Sequence, residues 1–273
     1  MSASPLSNEA FERRRAELEA ELGEAITLDG LSGTYRIFQR RRGHRHSTDD
    51  LLTAWYALEK ADRSSEGTLP RTALDLGTGI GTVGLLVLAG LAPDALLTCI
   101  EAQDVSHRFL LENIRANGLG ARVTPLHGDL RDLDLAERFP LVTGSPPYFD
   151  VSAGIVPSDS QKAHARFELR GDVRDYARAA KRHLAPGGLF TFCFPFAQKA
   201  RALAAAREEG FVVAFHRDVV PRVGLTPLFS LFACRLSGVE REIEEAPFVV
   251  RDESGAHTAD LRAVRRRFGW SDA

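Results

Sequence analysis

The feature that most constrains the fold is a regular alternation of short apolar segments with helical segments from residue 72 onwards. The predicted strands are 72–76, 96–101, 123–126, 141–144 and 189–194, followed by a terminal pair at 211–220 and 228–236. The predicted helices between them are 81–91, 105–117, 172–184 and 198–209. Short apolar strands separated by helices are typical of a parallel sheet covered on both faces. The sequence therefore predicts a doubly wound, mostly parallel, seven-stranded α/β sheet.

The first 60 residues lie outside this alternation. Segment 9–21 mixes charges of both signs with few apolar residues, which predicts a helix that packs only loosely. Segment 35–39 alternates like a strand, and 49–60 has the apolar spacing of an amphipathic helix. We expect residues 1–60 to form an N-terminal extension and residues 61–273 to form the domain that carries the functional site.

Composition narrows the class of protein. A hydrophobic content of 44% is ample for a buried core, and a net charge of −2 restricts any contact with a polyanion to local basic patches. The cysteines Cys99, Cys193 and Cys234 are far apart and lack metal-ligand spacing, so we expect no metal. Cys99 and Cys193 lie inside apolar strand-like runs, which indicates buried thiols and a reducing compartment. Because the chain shows neither a membrane-span pattern nor a signal peptide, we expect a soluble, cytoplasmic protein. The sequence does not determine its oligomeric state.

A glycine-rich segment follows the first strand of the alternation and reads Asp75-Leu76-Gly77-Thr78-Gly79-Ile80-Gly81. In open α/β sheets, ligands bind outside the carboxyl ends of the strands, which is where this segment lies. Gly77, Gly79 and Gly81 would let the backbone turn tightly and approach a ligand, and the next helix would point free N–H groups at it. The segment, with Asp75 at its start, therefore predicts a site for a nucleotide-like cofactor.

Two acidic residues occur where the next two strands end. Glu101 ends strand 96–101, where a carboxylate would accept hydrogen bonds from ribose hydroxyls. Asp129 follows strand 123–126, where a carboxylate would accept from an adenine amino group, and the alternative for Asp129 is a turn or helix-capping role. Gly79-Ile80-Gly81-Thr82-Val83-Gly84 also satisfies the G-x-G-x-x-G dinucleotide fingerprint, so a dinucleotide is the rival cofactor.

A second motif, Ser145-Pro146-Pro147-Tyr148, follows the fourth predicted strand. Two prolines stiffen the loop and remove N–H donors, which leaves its carbonyls to accept from an amine. Tyr148 could stack on a planar ring with help from Phe149, and the Ser145 hydroxyl could accept a second hydrogen bond. Holding both hydrogens of a planar amine would free the nitrogen lone pair for attack, so the motif predicts an acceptor site.

These two motifs resemble those of the amino-methylating class I methyltransferases, whose loop usually reads Asn-Pro-Pro-Tyr or Asp-Pro-Pro-Tyr. Segments 43–55 and 248–258 are similar to the entry and ending of the bacterial tRNA adenine-N(6) methyltransferases of the valine-tRNA type. The resemblance implies S-adenosylmethionine as cofactor and a base in tRNA or another nucleic acid as acceptor. It also implies a role for Asp49 at the methionine end of the cofactor.

One residue departs from that family's pattern. Ser145 stands where the family has asparagine, and it is similar instead to the Ser-Pro-Pro-Tyr loop of cytosine-amino DNA methyltransferases. Amine chemistry survives this change, but the identity of the base stays open. The alternatives are methylation of a protein glutamine or a small-molecule amine, or an inactive module that binds cofactor or RNA.

The densest positive run in the chain spans residues 40–46. Its arginines are candidate contacts for nucleic-acid phosphates: Arg40, Arg41, Arg42 and Arg45. A second run near the C-terminus contains Arg262, Arg265, Arg266 and Arg267. A solvated turn and a polar helix face are the alternative interpretations of the two runs.

Overall fold

A computed structural model describes residues 4–64, 68–148, 161, 168, 169 and 171–271. The N-terminal part contains helix α1 (Asn8–Leu22), strands β1 (Ile26–Gly30) and β2 (Arg36–Arg40), and helix α2 (Thr48–Ser64). The central part contains β3 (Thr72–Leu76), α3 (Thr82–Gly90), β4 (Leu96–Glu101), α4 (Asp104–Ala116), β5 (Val123–His127) and β6 (Phe139–Gly144). The C-terminal part contains α5 (Val173–His183), β7 (Leu184–Pro195), α6 (Lys199–Glu208), β8 (Val212–Val220), β9 (Phe229–Arg235), β10 (Ile243–Val249) and α7 (Ala259–Arg267).

The main sheet has eight strands in the order β10-β8-β9-β7-β6-β3-β4-β5. Strand β9 runs antiparallel to both of its neighbours, and the other neighbouring pairs are parallel. The predicted α/β class and mostly parallel sheet are therefore confirmed, with one strand more than the seven predicted. The additional strand β10 was not among the seven predicted strands, although its last residues, Phe248 and Val249, lie in segment 248–258, whose resemblance to the family's ending implies an apolar strand. A proline is tolerated there because β10 lies at the sheet edge.

Two apolar layers cover the sheet. Along β3, Ala73 joins the layer formed with α2, α3 and α4, whereas Leu74 and Leu76 join the layer formed with α5 and α6. Strands that are buried on both faces need apolar residues at successive positions, which explains why their sequences read as continuous runs.

Helix α1 packs more closely than its charged sequence predicts. Phe11 and Leu18 are 4% and 1% exposed, and the Phe11 ring lies 5.7 Å from that of Phe38 on β2. Arg14 donates to both carboxylate oxygens of Glu112 on α4, at 3.2 and 2.7 Å. The expectation of loose packing is wrong because two buried anchors and one bidentate ion pair suffice to dock the helix.

Strands β1 and β2 form a separate antiparallel hairpin that places the basic run beside the sheet. Asn113 on α4 holds this hairpin through its side-chain oxygen, which accepts from the Phe38 backbone N–H at 2.7 Å. In the part of the chain that the structure describes, no helix is both long and apolar enough to cross a membrane.

Candidate functional site

An open cavity lies at the carboxyl ends of β3, β4, β5 and β6. It encloses about 980 Å³ of space, open solvent at its mouth included. Its wall contains residues from both sequence motifs and the two acids at the ends of the next two strands: Asp75, Gly77, Gly79, Ser145, Pro147, Glu101 and Asp129. The structure thus brings the glycine-rich segment and the Pro-Pro loop to one cavity, although 63 or more residues separate them in the chain.

Asp75 holds the glycine-rich segment in place through hydrogen bonds. It is 1% exposed, and its carboxylate accepts hydrogen bonds from Thr78 Oγ1 at 2.5 Å, the Gly84 N–H at 2.9 Å and Thr143 Oγ1 at 2.7 Å. Burial raises the pKa of Asp75, and these three hydrogen bonds oppose the rise. Because its oxygens are engaged by the protein, Asp75 supports the segment rather than presenting a free acceptor to a ligand.

Two glycines of the segment require left-handed backbone for different reasons. Gly77 has φ +58°, and a Cβ there would overlap the hydroxyl of Tyr176 from α5. Gly79 has φ +61°, but a Cβ there would meet no atom within 4 Å. Gly77 is therefore required by a close approach within the protein, whereas Gly79 borders the open space of the cavity.

Glu101 links the glycine-rich segment to the end of β4. Its carboxylate accepts from the Gly79 N–H at 2.8 Å and from the Gln103 N–H at 2.7 Å. The residue is 7% exposed and lies in the cavity wall. Glu101 therefore fixes the glycine-rich segment and also presents a carboxylate at the cavity wall.

Asp129 lies in the cavity wall but is engaged by a neighbour. Its carboxylate accepts from the Arg131 backbone N–H at 2.9 Å and from the Arg131 guanidinium at 2.9 and 2.7 Å. The first of these bonds spans two residues, as in an Asx-type turn. This arrangement supports the turn role that the sequence left as the alternative.

The motif Ser145-Pro146-Pro147-Tyr148, called the acceptor motif for its predicted role, continues from β6 into the cavity wall. Ser145 and Pro147 line the cavity, Pro146 is buried, and the Ser145 hydroxyl lies 3.6 Å from the Cys193 sulfur on β7. Burial raises the pKa of Cys193 to about 12, so its thiol keeps its proton at neutral pH. Like Cys99 and Cys234, Cys193 is a buried free cysteine, as the sequence indicated.

Tyr148 lies at the end of the motif and away from the cavity wall. Its half-buried side chain packs against the apolar layer of α5 and α6, and its carbonyl accepts from Gln198 Nε2 at 2.7 Å. Phe149 lies outside the described residues. The structure therefore gathers Ser145 and Pro147 around the cavity, whereas Tyr148 is not among the residues that line it.

Sequence reasoning missed Asp50, which lies in the cavity wall where Asp49 was predicted to act. Its carboxylate accepts from the Ser47 N–H at 2.9 Å, and the residue is 7% exposed. Burial, reinforced by the charge of Asp49, raises the pKa of Asp50 well above its usual range. Helical spacing could have found Asp50, because it shares a face of α2 with the buried residues Thr53 and Ala57.

Two further residues of the cavity wall could not be predicted from the sequence. Tyr176 from α5 reaches the glycine-rich segment, and Gln161 is 2% exposed and donates to Ser106 Oγ at 3.3 Å. Neither residue belongs to a motif, and each comes from a distant part of the chain. The sequence contains no local pattern that predicts their approach.

The four arginines of the basic run divide into two pairs. Arg40 binds Glu24 at 2.7 Å, and Arg45 binds Asp29 at 3.2 Å, so both pair with acids of the N-terminal region. Arg41 and Arg42 are exposed, and no described residue pairs with their side chains. The two histidines of the same run, His44 and His46, lie in the cavity wall, where burial lowers the pKa of His46.

Comparison with known proteins gives relatives of low identity. No protein-family model matches the chain. A tRNA1(Val) (adenine(37)-N6)-methyltransferase of Actinobacillus pleuropneumoniae is 23% identical over 198 residues, which cover 72% of this chain and 82% of that protein. The protein of the same name from Tolumonas auensis is 25% identical over 245 residues, which cover 88% and 98%.

Solved structures give the same picture of the fold. A predicted O-methyltransferase from Agrobacterium tumefaciens superposes with a TM-score of 0.62 at 22% identity, covering 82% of this chain and 98% of that one. The resemblance to the tRNA adenine-N(6) methyltransferases and the predicted doubly wound α/β fold are therefore both confirmed. The chain is similar to proteins named tRNA1(Val) (adenine(37)-N6)-methyltransferase, and it shares the fold of the solved predicted O-methyltransferase.

Proposed function

We propose that this protein transfers a methyl group from S-adenosylmethionine to the exocyclic amino group of adenine in tRNA. The observation that carries the proposal is that Gly79, Glu101, Ser145 and Pro147 all line one cavity. A cofactor held by the first two residues would lie next to a base held by the last two. Positioning of this kind supplies most of the catalysis when the methyl donor is already activated.

The cavity residues fit the cofactor. S-adenosylmethionine supplies an activated methyl group when bound. The open space beside Gly79 leaves room for a ligand against the backbone, and the carboxylate of Glu101 in the same wall is of a chemical type that ribose hydroxyls bind. Asp50 is a buried carboxylate in the same wall and would pair with the cationic amino group of the methionine part.

Ser145, Pro146 and Pro147 would hold the acceptor amine. The prolines offer carbonyl acceptors without competing N–H donors, and the Ser145 hydroxyl would accept the second hydrogen of the amine when its own hydrogen points at Cys193. The nitrogen lone pair would then be free to attack. Tyr148 and Phe149 remain predicted contacts to the face of the base.

Two relatives named for adenine 37 of a valine tRNA support the choice of acceptor. Among the described residues of the basic run, Arg41 and Arg42 are the arginines exposed without a carboxylate partner, and they would bind phosphates. We therefore expect phosphate contacts from these two arginines, rather than from all four arginines of the run.

The test is an incubation of purified protein with radiolabelled S-adenosylmethionine and an unmodified valine-tRNA transcript, followed by digestion and identification of the labelled nucleoside. The matched control is the same transcript with guanosine at position 37. We expect label in N(6)-methyladenosine from the first transcript and a large loss from the second.

Other outcomes would separate the alternatives. Equal labelling of both transcripts would place the acceptor at another nucleotide. Cofactor binding without labelling of any tRNA would refute the proposed acceptor and direct the search to protein glutamine or small amines. Cofactor binding without turnover on any acceptor would support the remaining alternative, an inactive module that binds cofactor or RNA.

A further inference from the structure

The loop of residues 221–228, called the apolar loop here, joins β8 to β9. It lies at the same end of the sheet as the cavity, where the parallel strands have their carboxyl ends. Strand β7 is parallel to β6, and β9 is antiparallel to β7, so the start of β9 meets the end of β7 at Pro195 and Phe229. With neighbouring strands roughly 4.8 Å apart, β9 and β8 lie roughly 10 and 15 Å from the strand that precedes Ser145.

The apolar loop exposes large aliphatic side chains. Val223, Leu225 and Leu228 are 43%, 57% and 64% exposed, and the two leucines are the most exposed of the large hydrophobic residues that the structure describes. Single exposed apolar residues are ordinary on protein surfaces, but three within six positions of one loop form a patch.

Backbone hydrogen bonds hold the apolar loop in one conformation. Its Val223 N–H donates to the Arg251 carbonyl at 3.0 Å, and its Leu228 N–H donates to the Val219 carbonyl at 2.8 Å. Because the backbone is held from two neighbouring segments, the aliphatic side chains are presented without a further ordering cost.

The apolar loop is also continuous with the acceptor motif. The Leu228 carbonyl accepts from the Phe196 N–H at 3.1 Å, and Phe196 begins the short turn that ends at Gln198. Gln198 in turn donates to the Tyr148 carbonyl. A ligand that reaches from the acceptor motif along this edge would therefore meet the loop next.

A guanidinium accompanies the apolar side chains. Arg222 is exposed and donates to the Glu253 carbonyl, and within the described ranges it forms no ion pair with a carboxylate. Asp252, which precedes Glu253, turns its carboxylate toward the Ser254 and Ala256 N–H groups of its own turn. Arg222 therefore keeps a charge that can meet a phosphate beside the aliphatic surface.

We propose that the apolar loop binds the nucleotide adjacent to the acceptor base, packing Leu225 and Leu228 against the face of that neighbouring base. The inference rests on the proposed methylation of a tRNA base. An acceptor amine reaches the cavity only when its base leaves the stack, which costs a few kcal/mol. Aliphatic side chains that cover the exposed face of the neighbouring base offset that cost, as apolar wedges do in other nucleic-acid complexes.

The test compares the double variant Leu225→Ala/Leu228→Ala with the control Leu96→Ala/Leu236→Ala. The control leucines are 49% and 38% exposed and lie at the opposite edge of the sheet, at the start of β4 and after the end of β9. We expect the loop variant to raise the KM for tRNA about tenfold while the KM for S-adenosylmethionine stays unchanged, and the control to alter neither. Removing two partly exposed leucines from a base contact accounts for a change of that size.

A direct binding measurement keeps the inference independent of turnover. Fluorescence anisotropy with labelled tRNA should show the same loss of affinity in the loop variant, even if no tRNA is methylated by the wild-type protein. Equal tRNA affinity of the wild type and the loop variant would overturn the inference. It would also be overturned if sedimentation showed a wild-type dimer that dissociates in the loop variant, since the surface would then bind a second copy of this chain.

Discussion

Gly77→Ala should destabilise the protein more than Gly79→Ala, although both residues have positive φ in the same segment. A left-handed backbone costs an alanine about 1–2 kcal/mol at either position. At Gly77 the added methyl would also overlap the Tyr176 hydroxyl, and forced overpacking adds about 1–3 kcal/mol. We therefore expect the free energy of unfolding to fall by about 2–5 kcal/mol for Gly77→Ala and by about 1–2 kcal/mol for Gly79→Ala.

Urea unfolding followed by circular dichroism measures both losses, and Tyr176→Phe identifies their cause. The nearest atom to the added methyl at residue 77 would be the Tyr176 hydroxyl oxygen, so removing that oxygen should relieve part of the overlap. The double variant Gly77→Ala/Tyr176→Phe should then be more stable than the sum of the two single changes, by on the order of 1 kcal/mol. Combining Tyr176→Phe with Gly79→Ala should show no such gain.

Cofactor affinity gives a second readout that orders the glycine variants differently. The methyl of Gly79→Ala would occupy open space at the cavity wall, so its affinity for S-adenosylmethionine should fall by roughly tenfold or more despite the smaller loss of stability. Isothermal titration calorimetry measures this affinity. Equal stability losses for the two variants, or strict additivity with Tyr176→Phe, would refute the argument from the close approach of Tyr176.

Three further predictions concern the cavity and its surroundings. Burial raises the pKa of Asp50, so this carboxyl is protonated below that raised pKa and must release a proton before it can pair with a cation. The affinity for S-adenosylmethionine should therefore rise as the pH increases toward that pKa. Calorimetry at several pH values should show this dependence in the wild type and its loss in Asp50→Asn. If Cys193 orients the Ser145 hydroxyl, Cys193→Ala should lower kcat about three- to tenfold in the wild type but not in Ser145→Ala, and equal effects in both backgrounds would contradict the coupling. Arg41→Glu/Arg42→Glu should weaken tRNA binding and reduce the salt slope by about 1 per residue without changing the unfolding midpoint, whereas an unchanged slope would remove both residues from the interface.

The two motifs and the sheet could be predicted because their signals are local. Each buried parallel strand needs a short apolar run, and each run lies between helices of recognisable period. The glycine-rich segment and Ser145-Pro146-Pro147 follow such strands directly, so the rule that ligands lie at the carboxyl edge was enough to place them. Strand β10 lacked this signal because an edge strand of a sheet can be polar and can contain proline.

The roles of individual charged residues could not be predicted, because they depend on partners that are distant in the chain or on side-chain direction. Arg45 is paired with Asp29 across the hairpin, whereas the neighbouring Arg42 is exposed. Asp50 faces the cavity and its neighbour Asp49 does not line it, because successive residues of a helix point in different directions.

The sequence by itself determined the parallel α/β sheet, the positions of the cofactor and acceptor motifs, and the resemblance to adenine methyltransferases, because these follow from residue type and spacing along the chain. The tertiary structure alone decided that Tyr176 requires a glycine at position 77, that Cys193 lies beside Ser145, and that the apolar loop shares an edge with the cavity. Those relations arise when strands and helices that are far apart in sequence pack together, and their side chains meet only then.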